Sequence, residues 1–173
     1  IFGFSGDGDA YAEGIEHLIH MARYDLDINY VVHNNQVFAL TVGQPTPTTE
    51  IGFKDKTTPY GVKFQPLNPI KLMLSLNCGF VARVFADVKQ IEYVMKEAIK
   101  HKGFSFIEVI QPCLIFHPDL KFKEHIYNLE EKGHDKHNIK AAMEKAEEFD
   151  YNSITEKTKI PCGIFYRGDE SLD

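Results

Sequence analysis

Along the chain, short apolar runs alternate with segments whose apolar residues recur three and four positions apart. Residues 1–5 (IFGFS) read as a buried strand, and residues 9–25 (DAYAEGIEHLIHMARYD) place Ile15, Leu18, Ile19 and Ala22 on one helical face. The β-branched run LDINYVVH at 26–33 completes a strand–helix–strand unit, and such a crossover implies parallel strands. Residues 39–67 carry no long period and are rich in Pro, Thr and Gly; a loop of that length inside a compact domain is functional or disordered. Asn68 as cap and Pro69 in the first turn then open a helix that Gly79 closes. FVARVF (80–85) is a third strand. Asp87 caps a helix over 88–101 with Ile91, Val94, Met95, Ala98 and Ile99 on its apolar face, and GFSFIEVI (103–110) is a fourth strand. A helical segment at 137–150 and a strand at 162–167 end the pattern.

Strands that are apolar on consecutive residues, alternating with helices, predict an α/β fold: a parallel sheet with helices on both faces. Length and 43% hydrophobic content fit one domain over 1–173. A net charge of −6 without a basic stripe argues against a nucleic-acid partner. No apolar run has the length of a membrane span, so no membrane association is expected. Cys78, Cys113 and Cys162 are widely spaced with no CxxC, which fits a reducing cytoplasm better than a disulfide framework. A chain that opens on Ile, inside a core strand, is expected to be a fragment lacking an N-terminal part.

The chemistry sits where strands end. In an open parallel sheet, ligands bind beyond the carboxyl ends of the strands. GDGD (6–9) follows the first strand and HNNQV (33–37) ends the second, so neighbouring strands would bring Asp7 and Asn35 to one crevice. Gly6 and Gly8 allow a sharp turn and a close approach to an anion, and a following helix offers its N-terminal amides to phosphate. A carboxylate repels phosphate unless a hard cation lies between them. Mg²⁺ takes oxygen ligands, from protein and phosphate together. The Asp7 carboxylate, the Asn35 side-chain oxygen and a carbonyl near Val37 are candidates for three. As a bland alternative, Asp7 would cap the helix, but Asp9 is better placed for that.

GDGD followed by NN resembles the diphosphate-binding motif of thiamine diphosphate enzymes. NNQVFALTVGQPTPTT, KDKTTPYG, FVAR, AIKHKGFSFIEVIQPC and IPCGIFYR further resemble, in order, the β subunits of 2-oxoacid:ferredoxin oxidoreductases. Phe38, Ala39 and Val42 depart from the family's pattern at positions bearing on substrate preference. The resemblance implies thiamine diphosphate contacts at Gly6, Asp7, Gly8, Asp9, Asn35 and Thr41, with Mg²⁺ on Asp7, Asn35 and Val37. It implies oxidative decarboxylation of a 2-oxoacid with coenzyme A, giving acyl-CoA, CO2 and electrons for ferredoxin. It also implies a 4Fe-4S cluster with Cys113 as one ligand and the other cysteines upstream of residue 1. An α subunit would complete the site in a hetero-oligomer.

Cys78 and Cys162 read as structural thiols, and His117, His125, His134 and His137 as part of a solvated, charged face. Two other readings stay open: the diphosphate-binding domain of a non-redox decarboxylase or synthase, and a non-catalytic cofactor-binding or assembly module.

Overall fold

The computed structural model describes residues 1–168. Its eight strands are β1 (Phe2–Gly6), β2 (Asn29–Asn34), β3 (Val37–Phe38), β4 (Gln44–Pro45), β5 (Phe80–Phe85), β6 (Ser105–Ile110), β7 (Ile126–Asn128) and β8 (Ile160–Arg167). The α-helices are α1 (Ile15–Arg23), α2 (Pro69–Ser75), α3 (Val88–Lys100) and α4 (Ile139–Glu147). Six strands form one sheet in the order β1-β2-β6-β5-β8-β7, and β3 pairs with β4 in a small hairpin.

From β1 to β5 every pairing in the large sheet is parallel, as the strand–helix–strand crossover implies. The six residues of β6 are all buried, because helices cover both faces. Val32, Val81, Phe106 and Phe165 pack on one side with residues of α1, α2 and α4. Val31, Ala82, Ile107 and Ile164 pack on the other against Val94 and Ala98 of α3. Strand β8 departs from the expectation: it runs antiparallel to β5. Apolar continuity reports burial on both faces and says nothing of direction.

Local signals set most element ends. Asn68 Oδ1 accepts from the Lys71 amide while its Nδ2 donates to the carbonyls of Ala146 and Phe149, tying α2 to the end of α4. Asp87 accepts from the amides of Lys89 and Gln90. Helix α2 stops earlier than expected: Asn77 at φ 57°, not Gly79, takes the left-handed position beyond its end. The long loop is structured by the β3–β4 hairpin and by buried Thr46, Thr48, Thr49 and Val62.

Candidate cofactor and metal site

Parallel pairing of β1, β2 and β6 brings Gly6, Asn34 and Ile110 to one edge of the sheet. A cleft of about 440 Å³ opens there, and Gly6, Asp7, Gly8, Asp9, Asn35, Val37 and Thr41 all line it. Every residue that the sequence nominates for cofactor or magnesium therefore faces one space. His33 and Glu13 line it too, although no motif singled them out. A larger cavity, about 630 Å³, lies under loop 58–67; it contains no carboxylate and none of the nominated residues.

The glycines work through space, not through left-handed backbone. Gly8 has φ −64°, and neither it nor Gly6 is among the residues with positive φ. A Cβ on Gly6 would meet nothing within 4 Å, so the missing side chain leaves the cleft open. A Cβ on Gly8 would overlap the Phe38 ring. Gly8→Ala is therefore expected to push that ring into the cleft and weaken cofactor binding on the order of tenfold, with the fold retained. Calorimetry beside a circular dichroism melt separates the two effects, and unchanged affinity would show that the Phe38 edge is not part of the binding wall.

The helix after GDGD does not start as expected. Residues Asp9–Glu13 form a π-helical turn closed by Gly14 N–H to Asp9 C=O at 2.7 Å, and α1 begins only at Ile15. Buried Ala10 and Tyr11 fix this turn to the core. Asp9 does not cap a helix: its carboxylate accepts the Ser5 hydroxyl.

Asp7 is 2% exposed. Burial pushes its carboxyl up to about 6, against the pull of the Thr46 and Thr48 hydroxyls. Thr46 Oγ1 donates to Asp7 Oδ2 at 2.6 Å and Thr48 Oγ1 lies 3.3 Å from it. No cationic side chain among the described residues is paired with it. A buried carboxylate in that condition fits a bound cation, which would supply the missing charge. Asn35 Oδ1 accepts the Val37 amide at 3.1 Å, an Asx-type turn that holds its oxygen at the rim. One carboxylate and neutral oxygens match a hard cation that shares its coordination with phosphate. The described residues contain no group of three or more His, Cys, Asp or Glu arranged to hold a metal by themselves.

Cys113 follows β6 by three residues and is half-buried at the same sheet edge. Its Sγ accepts the Phe116 amide at 3.4 Å. Its segment packs on the loop that forms the cleft: a Cβ on Gly43 would lie 3.0 Å from Phe116, and His117 Nε2 is 2.9 Å from Glu50 Oε1. His117 is thus 5% exposed and packs at a tilt against the Phe53 ring, not part of a solvated face, because the loop folds over it. Cys78 and Cys162 are buried in the sheet layers, and burial pushes both thiols up to about 12. Three cysteines do not build a four-thiolate site, and of the three Cys113 alone is not fully buried.

Sequence reasoning misses the supports behind the site. Arg83 and Glu108 face each other in register across β5 and β6, both 0% exposed, with Nε–Oε2 at 2.8 Å. Each is a charge inside an apolar strand run, a signal that could have found them. Thr46, Thr48 and Asn34 also hold the site from within.

Comparison with known proteins gives this geometry a family. Residues 1–109 match the profile of the thiamine pyrophosphate enzyme C-terminal TPP-binding domain, and residues 121–172 match that of the C-terminal part of the pyruvate ferredoxin oxidoreductase β subunit. The 2-oxoacid:ferredoxin oxidoreductase subunit β of Saccharolobus solfataricus is 36% identical over 95% of this chain and 56% of its own length. The 2-oxoglutarate synthase subunit KorB of Archaeoglobus fulgidus is 43% identical over 64% of this chain and 42% of its own. Among solved structures, the 2-oxoglutarate:ferredoxin oxidoreductase of Magnetococcus marinus, with 2-oxoglutarate, coenzyme A and succinyl-CoA bound, superposes with a TM-score of 0.84. It is 32% identical, over 96% of this chain and 56% of that one. The chain spans about half the length of these relatives. It belongs to the thiamine pyrophosphate enzyme family, as a C-terminal TPP-binding domain of the kind found in 2-oxoacid:ferredoxin oxidoreductase β subunits.

Proposed function

We propose that this chain holds the magnesium-diphosphate end of thiamine diphosphate in a 2-oxoacid:ferredoxin oxidoreductase. The observation that carries the reading is Asp7: buried, its carboxyl pushed up to about 6, without a cationic partner among the described residues, and facing the same cleft as Asn35. In this reading Asp7, Asn35 and the Val37 carbonyl hold Mg²⁺. Gly6 and Gly8 leave room for the diphosphate, while Asp9 and Thr41 border it.

When bound, thiamine diphosphate supplies an electron sink for cleaving the bond between the carboxylate and the keto carbon of a 2-oxoacid. This chain's residues bind and orient. Thr46 fixes the Asp7 carboxylate by donating to one oxygen, and the β3–β4 hairpin forms the wall of the cleft. Thr41 donates to Gln44 across that hairpin at 2.6 Å and stiffens its turn. An α subunit would complete the site, coenzyme A would accept the acyl group, and ferredoxin would accept the electrons. Cys113 would give one thiolate to a 4Fe-4S cluster whose other ligands lie outside this chain. A reducing cytoplasm suits that cluster.

The test is turnover of the full-length protein assembled with its partner subunit. Release of CO2 from a 2-oxoacid such as pyruvate or 2-oxoglutarate should require thiamine diphosphate, Mg²⁺, coenzyme A and ferredoxin together. Decarboxylation without ferredoxin, by protein lacking the visible absorption of a cluster, would favour a non-redox decarboxylase or synthase. Absence of any turnover with all four present would favour a non-catalytic module.

A further inference from the structure

The Arg83–Glu108 pair asks for an explanation of its own. Two charges buried in a central sheet pay heavy desolvation, and a buried ion pair is weak grounds for stability when apolar residues of similar volume could fill the space. Arg83 is held on all sides: its guanidinium lies 5.1–5.3 Å from the ring centroids of Phe149, Tyr151 and Phe165, and it donates to the Tyr151 hydroxyl and the Pro161 carbonyl. Tyr151 in turn donates to Glu108 Oε2 at 2.6 Å. That leaves Glu108 Oε1, which accepts from Asn34 Nδ2 at 2.7 Å.

A carboxylate can only accept and a backbone N–H can only donate, so Glu108 on one side and the Gln36 amide on the other set which way the Asn34 amide points. Its Nδ2 must face Glu108, and its Oδ1 must face the loop. There Oδ1 accepts the Gln36 amide at 3.1 Å and the Thr48 hydroxyl at 2.9 Å. A hydroxyl has one proton. Thr48 Oγ1 lies nearer Asn34 Oδ1, at 2.9 Å, than Asp7 Oδ2, at 3.3 Å, so its proton goes chiefly to Asn34, and Thr46 at 2.6 Å is the main hydroxyl donor to that carboxylate among the described residues.

We infer that Arg83 and Glu108 are positioning residues for the cation site: through Asn34 they keep the Thr48 proton away from Asp7, so that its carboxylate stays electron-rich for a metal. This rests on the magnesium reading and goes beyond it. Neither residue touches the cleft. Glu108→Gln is near-isosteric but turns the logic round. With its oxygen facing Arg83, the substituted side chain would set its amide against Asn34 Nδ2, donor against donor; relief by turning Asn34 leaves the Gln36 amide without its acceptor and presents Nδ2 to Thr48, whose proton would then swing onto Asp7.

The experiment uses the full-length, partner-assembled protein with Mn²⁺ as the probe, titrated by electron paramagnetic resonance in the presence of thiamine diphosphate. Glu108→Gln should weaken Mn²⁺ binding by about 10- to 100-fold, the range for losing an outer-shell partner. Adding Thr48→Val removes the hydroxyl that competes at Asp7, so the double variant should bind Mn²⁺ no worse than Thr48→Val alone. Unchanged affinity in folded Glu108→Gln, or losses that multiply in the double variant, would overturn the inference. Should Glu108→Gln fail to fold, Thr48→Val decides it: with its proton already held mainly on Asn34, loss of the hydroxyl should leave Mn²⁺ affinity within about threefold of wild type, and a change of about tenfold or more in either direction would overturn the inference. Wild-type protein that binds neither Mn²⁺ nor thiamine diphosphate would overturn the cofactor reading itself, and this inference with it.

Discussion

Asp7→Asn in the full-length, partner-assembled protein is expected to lose Mg²⁺-dependent thiamine diphosphate binding by more than about 100-fold, since removing a ligand should exceed the loss from its outer-shell partners. Asn keeps the size and one oxygen of Asp but not the charge that sits between metal and Thr46. The fold should survive, because the buried carboxylate is a burden to the cofactor-free protein. Burial raises its folded-state pKa from the ordinary 3.8 to about 6. For an acid so raised, the penalty on the folded state is absent below about 4 and complete above about 6. Asp7→Asn apo-protein should therefore be at least as stable as wild type at about pH 8, with any advantage fading toward about pH 4. Calorimetry and denaturant unfolding read the two effects separately. Undiminished cofactor affinity would remove Asp7 from the metal site.

Arg83→Met should be the most destabilising single change in the sheet. It leaves Glu108 buried without its cation, in a strand where all six residues are buried. Removing one partner of a buried pair costs roughly 3–5 kcal/mol. The double variant Arg83→Met with Glu108→Leu leaves no unpaired charge and should regain much of that loss. It should not regain metal affinity, because Asn34 Nδ2 has then lost the acceptor that holds it. Urea unfolding of the three proteins checks the first claim. A single variant within about 1 kcal/mol of wild type would contradict this account of the buried pair.

Much of the fold could be read in the sequence because its signals are local. The period of α3 and its Asp87 cap, the Asn68-Pro69 start of α2 and the apolar runs of β5 and β6 all depend on neighbouring residues. So does the motif: GDGD and NN each end a strand, and parallel pairing alone carries Asp7 and Asn35 together. What escaped the sequence depends on distant contacts. Thr46 and Thr48 reach Asp7 from across the loop, and no local period marks them. His117 has a surface-like sequence neighbourhood, yet Glu50 and Phe53 enclose it. The direction of β8 is set by its connection and not by its composition. Asn34 and Asn35 divide the labour in a way that pattern cannot resolve: one is turned inward to Glu108, the other toward the cleft.

The most direct test is a crystal of the full-length, partner-assembled protein grown with thiamine diphosphate and Mn²⁺ in place of Mg²⁺. An anomalous peak is expected between the diphosphate and the Asp7 carboxylate, about 2.1 Å from Asp7, Asn35 Oδ1 and the Val37 carbonyl, as for a small octahedral cation. A bound cofactor whose metal lies elsewhere, or whose diphosphate lies outside the cleft between Gly6 and Thr41, would contradict the assignment.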